Sequence, residues 1–162
     1  MTPAPLATFR TVIVTTKRHR LPGRLAIETG TTPETAFTDP RQIARLSRAL
    51  VRTDPREHFL AFYLDNASRL LAAHVVSIGV ANGTEVHPRE VFLPAVHLGA
   101  TSIVVAHNHP SGSVAPSRED LTVTERLRDA GTLLGIDLLD HVIFSQHEKS
   151  LYSFTAGTSL QG

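Results

Sequence analysis

The stretch Ala106-His107-Asn108-His109-Pro110-Ser111-Gly112-Ser113-Val114-Ala115-Pro116-Ser117-Arg118-Glu119-Asp120 puts two imidazoles, a hydroxyl and a carboxylate in an order that suits a catalytic metal ion. His107 and His109 are two residues apart at the end of the apolar run Thr101-Ser102-Ile103-Val104-Val105-Ala106, which reads as a buried strand. Alternate side chains of an extended chain share a face, so both rings can point at one ion. Pro110 and Gly112 mark a loop, and Pro116-Ser117 opens a helical stretch that carries Asp120 in its first turn. Two histidines and one carboxylate fill three positions of a tetrahedral zinc and leave the fourth for water, the arrangement of a catalytic rather than a structural site.

Each residue also has a plainer reading. Ser117 could be a helix cap, with Asp120 favoured by the helix dipole, and two histidines could be satisfied polar groups at a strand end. Conjunction favours the metal. Asp120 begins a stripe through Val123, Leu127, Ala130 and Leu134, which turns its carboxylate toward the core, where it needs a partner. The consecutive letters His-Asn-His do not indicate an HNH nuclease, because that trio is dispersed along a hairpin-and-helix unit.

The elements that position these residues follow from periodicity. A strand is expected at Phe9-Arg10-Thr11-Val12-Ile13-Val14, then a loop over 30–38 and a helix from Asp39-Pro40 with Ile43, Leu46 and Leu50 on one side. His58-Phe59-Leu60-Ala61-Phe62-Tyr63-Leu64 is apolar on both faces and reads as a central strand. Asp65-Asn66-Ala67-Ser68 turns it into a partner over 69–78, and 79–83 is a break. Pro88 to Leu98 reads as a helix. The strand with the histidines follows, then a helix from Arg118 to Leu134 stopped by Gly135, and strands over 136–144 and 150–154. Alternating strands and helices predict an α/β sheet packed by helices.

The spacing His107-x-His109, seven residues, Ser117, two residues, Asp120 matches the JAMM motif of the MPN (JAB) metallopeptidases. The chain resembles more narrowly the RadC group, through His87-Pro88-Arg89-Glu90-Val91-Phe92, His107-Asn108-His109-Pro110-Ser111-Gly112, Pro116-Ser117-Arg118-Glu119-Asp120 and Gly135-Ile136-Asp137-Leu138-Leu139-Asp140-His141. The resemblance implies an α/β fold, a single MPN (JAB) domain with a mixed β-sheet packed by helices and cytidine-deaminase-like architecture. The expected organisation is an N-terminal extension over 1–34, the RadC-like domain over 35–155 and a C-terminal tail over 156–162. Many RadC proteins carry an additional N-terminal helix-hairpin-helix region, for which too few residues precede the catalytic part here, so DNA contact inferred from that region is not expected to transfer.

On this reading His107, His109 and Asp120 hold Zn2+, Glu57 is the general base and Ser117 donates a hydrogen bond to the developing oxyanion. Glu57 matches the upstream glutamate of the JAMM pattern and directly precedes the central strand; the plainer alternative is one more surface acid after Asp54-Pro55-Arg56. Glu90 has a dipole reason to open its helix. Asn108 points to the opposite face of its strand and is expected to fix the loop. His87 and His141 lie in RadC-like segments and could line the cleft, hydrogen-bond the ligands from behind or be structural. His19, His58, His74, His97 and His147 have no ligand spacing.

Composition narrows the function. The chain has 162 residues, 16 basic and 15 acidic with a formal net charge of +1, far from the field of a dedicated nucleic-acid binder. A local patch remains at Lys17-Arg18-His19-Arg20 and Arg24. The absence of cysteine leaves only nitrogen and oxygen to hold a metal. No apolar stretch approaches the roughly 20 residues of a membrane span, and no signal-peptide pattern opens the chain, so the expected compartment is the cytoplasm. The expected partner is a peptide or protein substrate, including one joined by an isopeptide bond. Two further functions compete: a metal-dependent nuclease or DNA-repair accessory of the RadC type, and a non-catalytic binding module.

Overall fold

A computed structural model describes residues 36–51, 54–79 and 86–161. The strand expected at 9–14, the extension over 1–34 and the basic patch at 17–24 lie outside these residues, as does most of the break at 79–83. The elements run α1 (Pro40–Val51), β1 (Glu57–Leu64), β2 (Leu70–Gly79), α2 (Pro88–Leu98), β3 (Ser102–His107), α3 (Arg118–Leu134), β4 (Asp137–Phe144), β5 (Ser150–Ser153) and β6 (Thr158–Gln161). The strands form one sheet in the order β2-β1-β3-β4-β5-β6. Among the described residues only β3 and β4 pair in parallel, joined by α3; the other pairs are antiparallel. The fold is therefore a mixed α/β sheet packed by helices. Among the described residues no helix is long and apolar enough to cross a membrane.

Both faces of the sheet are covered, which is why the central strands are apolar without alternation. On one side Leu60, Phe62 and Leu64 of β1 with Val104 and Ala106 of β3 pack with Ile43, Ala44, Leu46 and Val51 of α1. On the other, Phe59, Ala61, Tyr63, Ile103 and Val105 meet Val91, Phe92 and Ala95 of α2 and Leu127 of α3. Asp39 Oδ1 accepts the N–H of Arg41 at 2.9 Å and starts α1, with Pro40 in the first helical position. Left-handed glycines end α2 and α3, Gly99 at φ 64° and Gly135 at φ 68°.

Two local expectations change, and the role left open for His87 is filled. Leu134, placed on the buried stripe of α3, is 48% exposed, whereas Thr124, Leu127 and Gly131 are the buried positions. The span 156–162 holds β6, which pairs Leu160 with Leu151 of β5. His87 caps α2: its Nδ1 accepts the N–H of Arg89 at 3.2 Å.

Candidate metal centre

β3 ends at His107, and the chain then turns through Pro110–Gly112, where Gly112 takes φ 78° and its N–H donates to His109 O at 2.9 Å. A side chain with a Cβ is strained at that φ, so the tight return depends on glycine. The turn leads to Ser117, the cap of α3, whose first turn faces back over the end of β3. Ligands remote in character are thus brought together by one strand, one loop and one helix start.

Nε2 of His107 and Nε2 of His109 are 3.0 Å apart. Asp120 Oδ1 lies 3.0 Å from His107 Nε2, and Asp120 Oδ2 lies 3.3 Å from His109 Nε2. One ligand atom from each residue lies within 4.8 Å of the others, so the group could hold a metal ion. The chemistry of the donor set fits one. His109 Nδ1 is 2.9 Å from Ser113 O, a carbonyl that can only accept, so the ring carries its proton on Nδ1 and presents Nε2 inward. Two inward nitrogens and a carboxylate at these separations need a shared positive charge, which a cation supplies. Nitrogen and oxygen ligands in this number suit a borderline divalent ion.

Burial pushes the Asp120 carboxyl up, but His107 and His109 in their protonated forms hydrogen-bond it, outweigh burial and hold the group well below the ordinary carboxylate range; a cation at two bare Nε2 atoms would take the place of those protons. The hydrogen bond to Asp120 raises His109 against the opposing effect of burial. The His107 side chain is 2% exposed, Asp120 13% and His109 17%, so the group is closed behind His107 and open at His109.

Ser117 is bound to Asp120 on three counts. Its N–H and its hydroxyl each donate to Asp120 Oδ2 at 2.7 Å, and its Oγ accepts the N–H of Asp120 at 3.1 Å. In this arrangement the single hydroxyl proton of Ser117 is engaged with the carboxylate. The capping reading is the one observed, and the same hydrogen bonds orient the Asp120 carboxylate.

Glu57 opens β1. Phe59 lies opposite His107 in the antiparallel register, so two residues earlier Glu57 comes level with His109 and shares its side of the sheet. Its charge acts to raise His109. The backbone of Glu57 pairs with Gly79 of β2, while its carboxylate forms no hydrogen bond or salt bridge among the described residues. Its neighbour Arg56 is turned to Asp54, with Nε 2.9 Å from Asp54 Oδ1. Asn108 fixes the backbone on both sides of Glu57: Oδ1 accepts the N–H of His58 at 3.0 Å, and Nδ2 donates to Arg56 O at 3.0 Å. Glu90 sits at the start of α2, hydrogen-bonded by Arg89, outside the group.

His141, left open by the sequence, is part of the site from behind. It is fully buried on β4, in register with Val105, and its Nε2 is 2.8 Å from His107 Nδ1. Its Nδ1 is 2.6 Å from Thr124 Oγ1 on α3. Burial, then the nearby His107, depress its pKa well below the usual histidine value. No spacing rule could find this contact, because 34 residues and a parallel crossover separate the two rings. The signal available was the polar pair Asp140-His141 inside a strand whose neighbours Leu138, Leu139, Val142, Ile143 and Phe144 are apolar.

Comparison with known proteins places the chain. A UPF0758 protein of Methanosarcina mazei is 45% identical over 111 residues, 68% of this chain and 48% of that protein. A UPF0758 protein of Geobacter sulfurreducens is 47% identical over 107 residues, 66% of this chain and 47% of that one. A third, from Caldanaerobacter subterraneus, is 44% identical over 125 residues, 74% and 54% respectively. The chain spans about half the length of the curated relatives it matches. Residues 37–160, which include the group His107, His109 and Asp120, match the RadC-like JAB domain, and the chain belongs to that family.

Proposed function

We propose that the protein is a zinc-dependent hydrolase that cleaves amide bonds, a metallopeptidase or isopeptidase. The observation that carries this reading is the convergence of His107 Nε2, His109 Nε2 and the Asp120 carboxylate, with Glu57 level with His109 on the same side of the sheet. Zinc at such a site supplies Lewis acidity that lowers the pKa of water toward about 7. The remaining steps belong to the chain. Glu57 accepts a proton from the attacking water and delivers it to the leaving nitrogen, so that the C–N bond breaks to give a carboxylate and a free amine. Asn108 holds the backbone around Glu57. Ser117 orients Asp120, and by turning its hydroxyl away from Oδ2 it can donate to the developing oxyanion. The substrate is a peptide or protein entering on the open side, past His109.

The test is metal content and hydrolysis together. Protein purified without a metal-binding tag is assayed by elemental analysis and then against peptide and isopeptide substrates. About one zinc per chain, with turnover lost on chelation and restored by zinc, supports the reading. No bound divalent metal, or hydrolysis that survives chelation, sinks it.

A further inference from the structure

We propose that His141 and Thr124 are positioning residues that fix the protonation tautomer of His107 and so determine whether the proposed metal site can bind at all. The inference rests on the metal reading above and deepens it. A histidine ligates through a ring nitrogen that carries no proton, and the partner of its other nitrogen sets which one that is.

The proton positions follow by elimination along one chain of contacts. Thr124 Oγ1 is 2.6 Å from Asp120 O, one helical turn back. Two oxygens that close repel unless a proton lies between them, and the carbonyl has none to give. The hydroxyl proton of Thr124 is therefore on that bond. Its Oγ1 can then only accept from His141 Nδ1, which is 2.6 Å away, so His141 carries its proton on Nδ1. A neutral His141 consequently offers a lone pair at Nε2. His107 Nδ1, at 2.8 Å, must supply the proton of that contact. With its Nδ1 proton committed to His141, neutral His107 presents a bare Nε2 to His109 and Asp120, and a proton shared with Asp120 Oδ1 at 3.0 Å while no cation is bound would leave the Nδ1–H in place. The Asp120 backbone thus starts a relay that ends at the ligand nitrogen paired with the Asp120 side chain.

The surroundings deny the relay any substitute. His141 is sandwiched by Phe154, stacked at 4.7 Å and 9°, and by the edge contact of Phe59 at 5.6 Å. Phe59 also stacks on His107 at 6.0 Å. His107, His141 and Thr124 are all buried, so bulk water has no route to replace a lost partner.

The decisive variant is Thr124→Val, nearly the same shape but unable to accept the His141 Nδ1 proton. His141 then places its proton on Nε2, His107 must accept at Nδ1, and its own proton moves to the nitrogen needed for metal. Two quantities are read: the ring-nitrogen NMR spectrum of metal-free protein at about pH 8, where free histidine is neutral, and zinc affinity by chelator competition. In wild type and Thr124→Ser, His107 is expected in the Nδ1–H form. In Thr124→Val it should shift to the Nε2–H form, and zinc affinity should fall by about 10–100-fold. A purely packing role for Thr124 would move neither quantity. If His107 keeps the Nδ1–H form in Thr124→Val, or if zinc affinity is unchanged there, the inference is overturned. Should that variant fail to fold, His141→Phe, which keeps an aromatic ring between Phe59 and Phe154, is held to the same two readouts. A wild-type protein that binds no zinc sinks the metal reading, while the spectrum of the metal-free protein still decides the relay.

Discussion

Ser117 and Asp120 hold each other: the Ser117 hydroxyl donates to Asp120 Oδ2 at 2.7 Å while its oxygen accepts the Asp120 N–H at 3.1 Å. The helix cap and the orientation of a candidate ligand are one hydrogen-bonded unit, so they cannot be separated by position alone. Ser117→Ala is expected to lower stability by about 0.5–2 kcal/mol through the lost cap. At full zinc loading it should also lower kcat by about 10²–10³-fold if the hydroxyl turns to the oxyanion in the reaction. Equal kcat at equal zinc content would leave the hydroxyl with Asp120 alone.

Removing a ligand has a different signature. His109→Ala and Asp120→Ala each delete one of three protein ligands, so stoichiometric zinc should not survive dialysis. The cores on the two faces of the sheet do not include either residue, and the secondary structure should persist in the circular dichroism spectrum. Asp120→Ala should be the less stable of the two, because it also removes the acceptor for the Ser117 N–H. Zinc retained at one per chain in both variants would refute the ligand assignment.

Glu57→Gln tests the base. The amide is nearly the size of the carboxylate and cannot accept the proton, so zinc content should stay at the wild-type level while peptide hydrolysis is lost. The Glu57 carboxylate forms no hydrogen bond or salt bridge among the described residues and its backbone pairing with Gly79 is kept, so stability should change by no more than about 0.5 kcal/mol. Wild-type turnover in the loaded variant would make Glu57 a surface acid, with Glu90 the next residue to change.

These residues differ in how far the sequence exposes them. The bounds of α2 and α3 are legible because local chemistry writes them, with Pro88 and Gly99 at the ends of one helix and Ser117 and Gly135 at the ends of the other. β1 is legible because both of its faces are buried. β6 is not, since Thr158-Ser159-Leu160-Gln161 has one large apolar residue and lies at the sheet edge, where pairing with β5 rather than burial makes the strand. The grouping of His107, His109 and Asp120 follows from short-range spacing. The part played by His141 and Thr124 does not, because it exists only once α3 has carried the chain over to lay β4 parallel to β3. His87 has a local role that its RadC-like segment masks: it caps α2 through Arg89.

The last prediction concerns Asn108, whose amide spans Arg56 O and the His58 N–H and so fixes the two peptide groups that flank Glu57. Asn108 is wholly buried, and the His58 N–H has no water to turn to if the amide is cut away. Asn108→Ala should therefore cost about 1–3 kcal/mol of stability, the penalty for leaving buried polar groups unpaired. The metal ligands lie on the other side of the strand end and keep their own partners, His109 to Ser113 and His107 to His141, so zinc affinity should change little. Turnover should fall, because Asn108 clamps the peptide groups on both sides of Glu57 at the end of β1, where β2 pairing through Gly79 is the other constraint. Measured below its unfolding temperature and at full zinc loading, the variant should lose kcat with KM nearly unchanged. A wild-type kcat in that state would show that β1 alone places Glu57 and that Asn108 is only a brace for the fold.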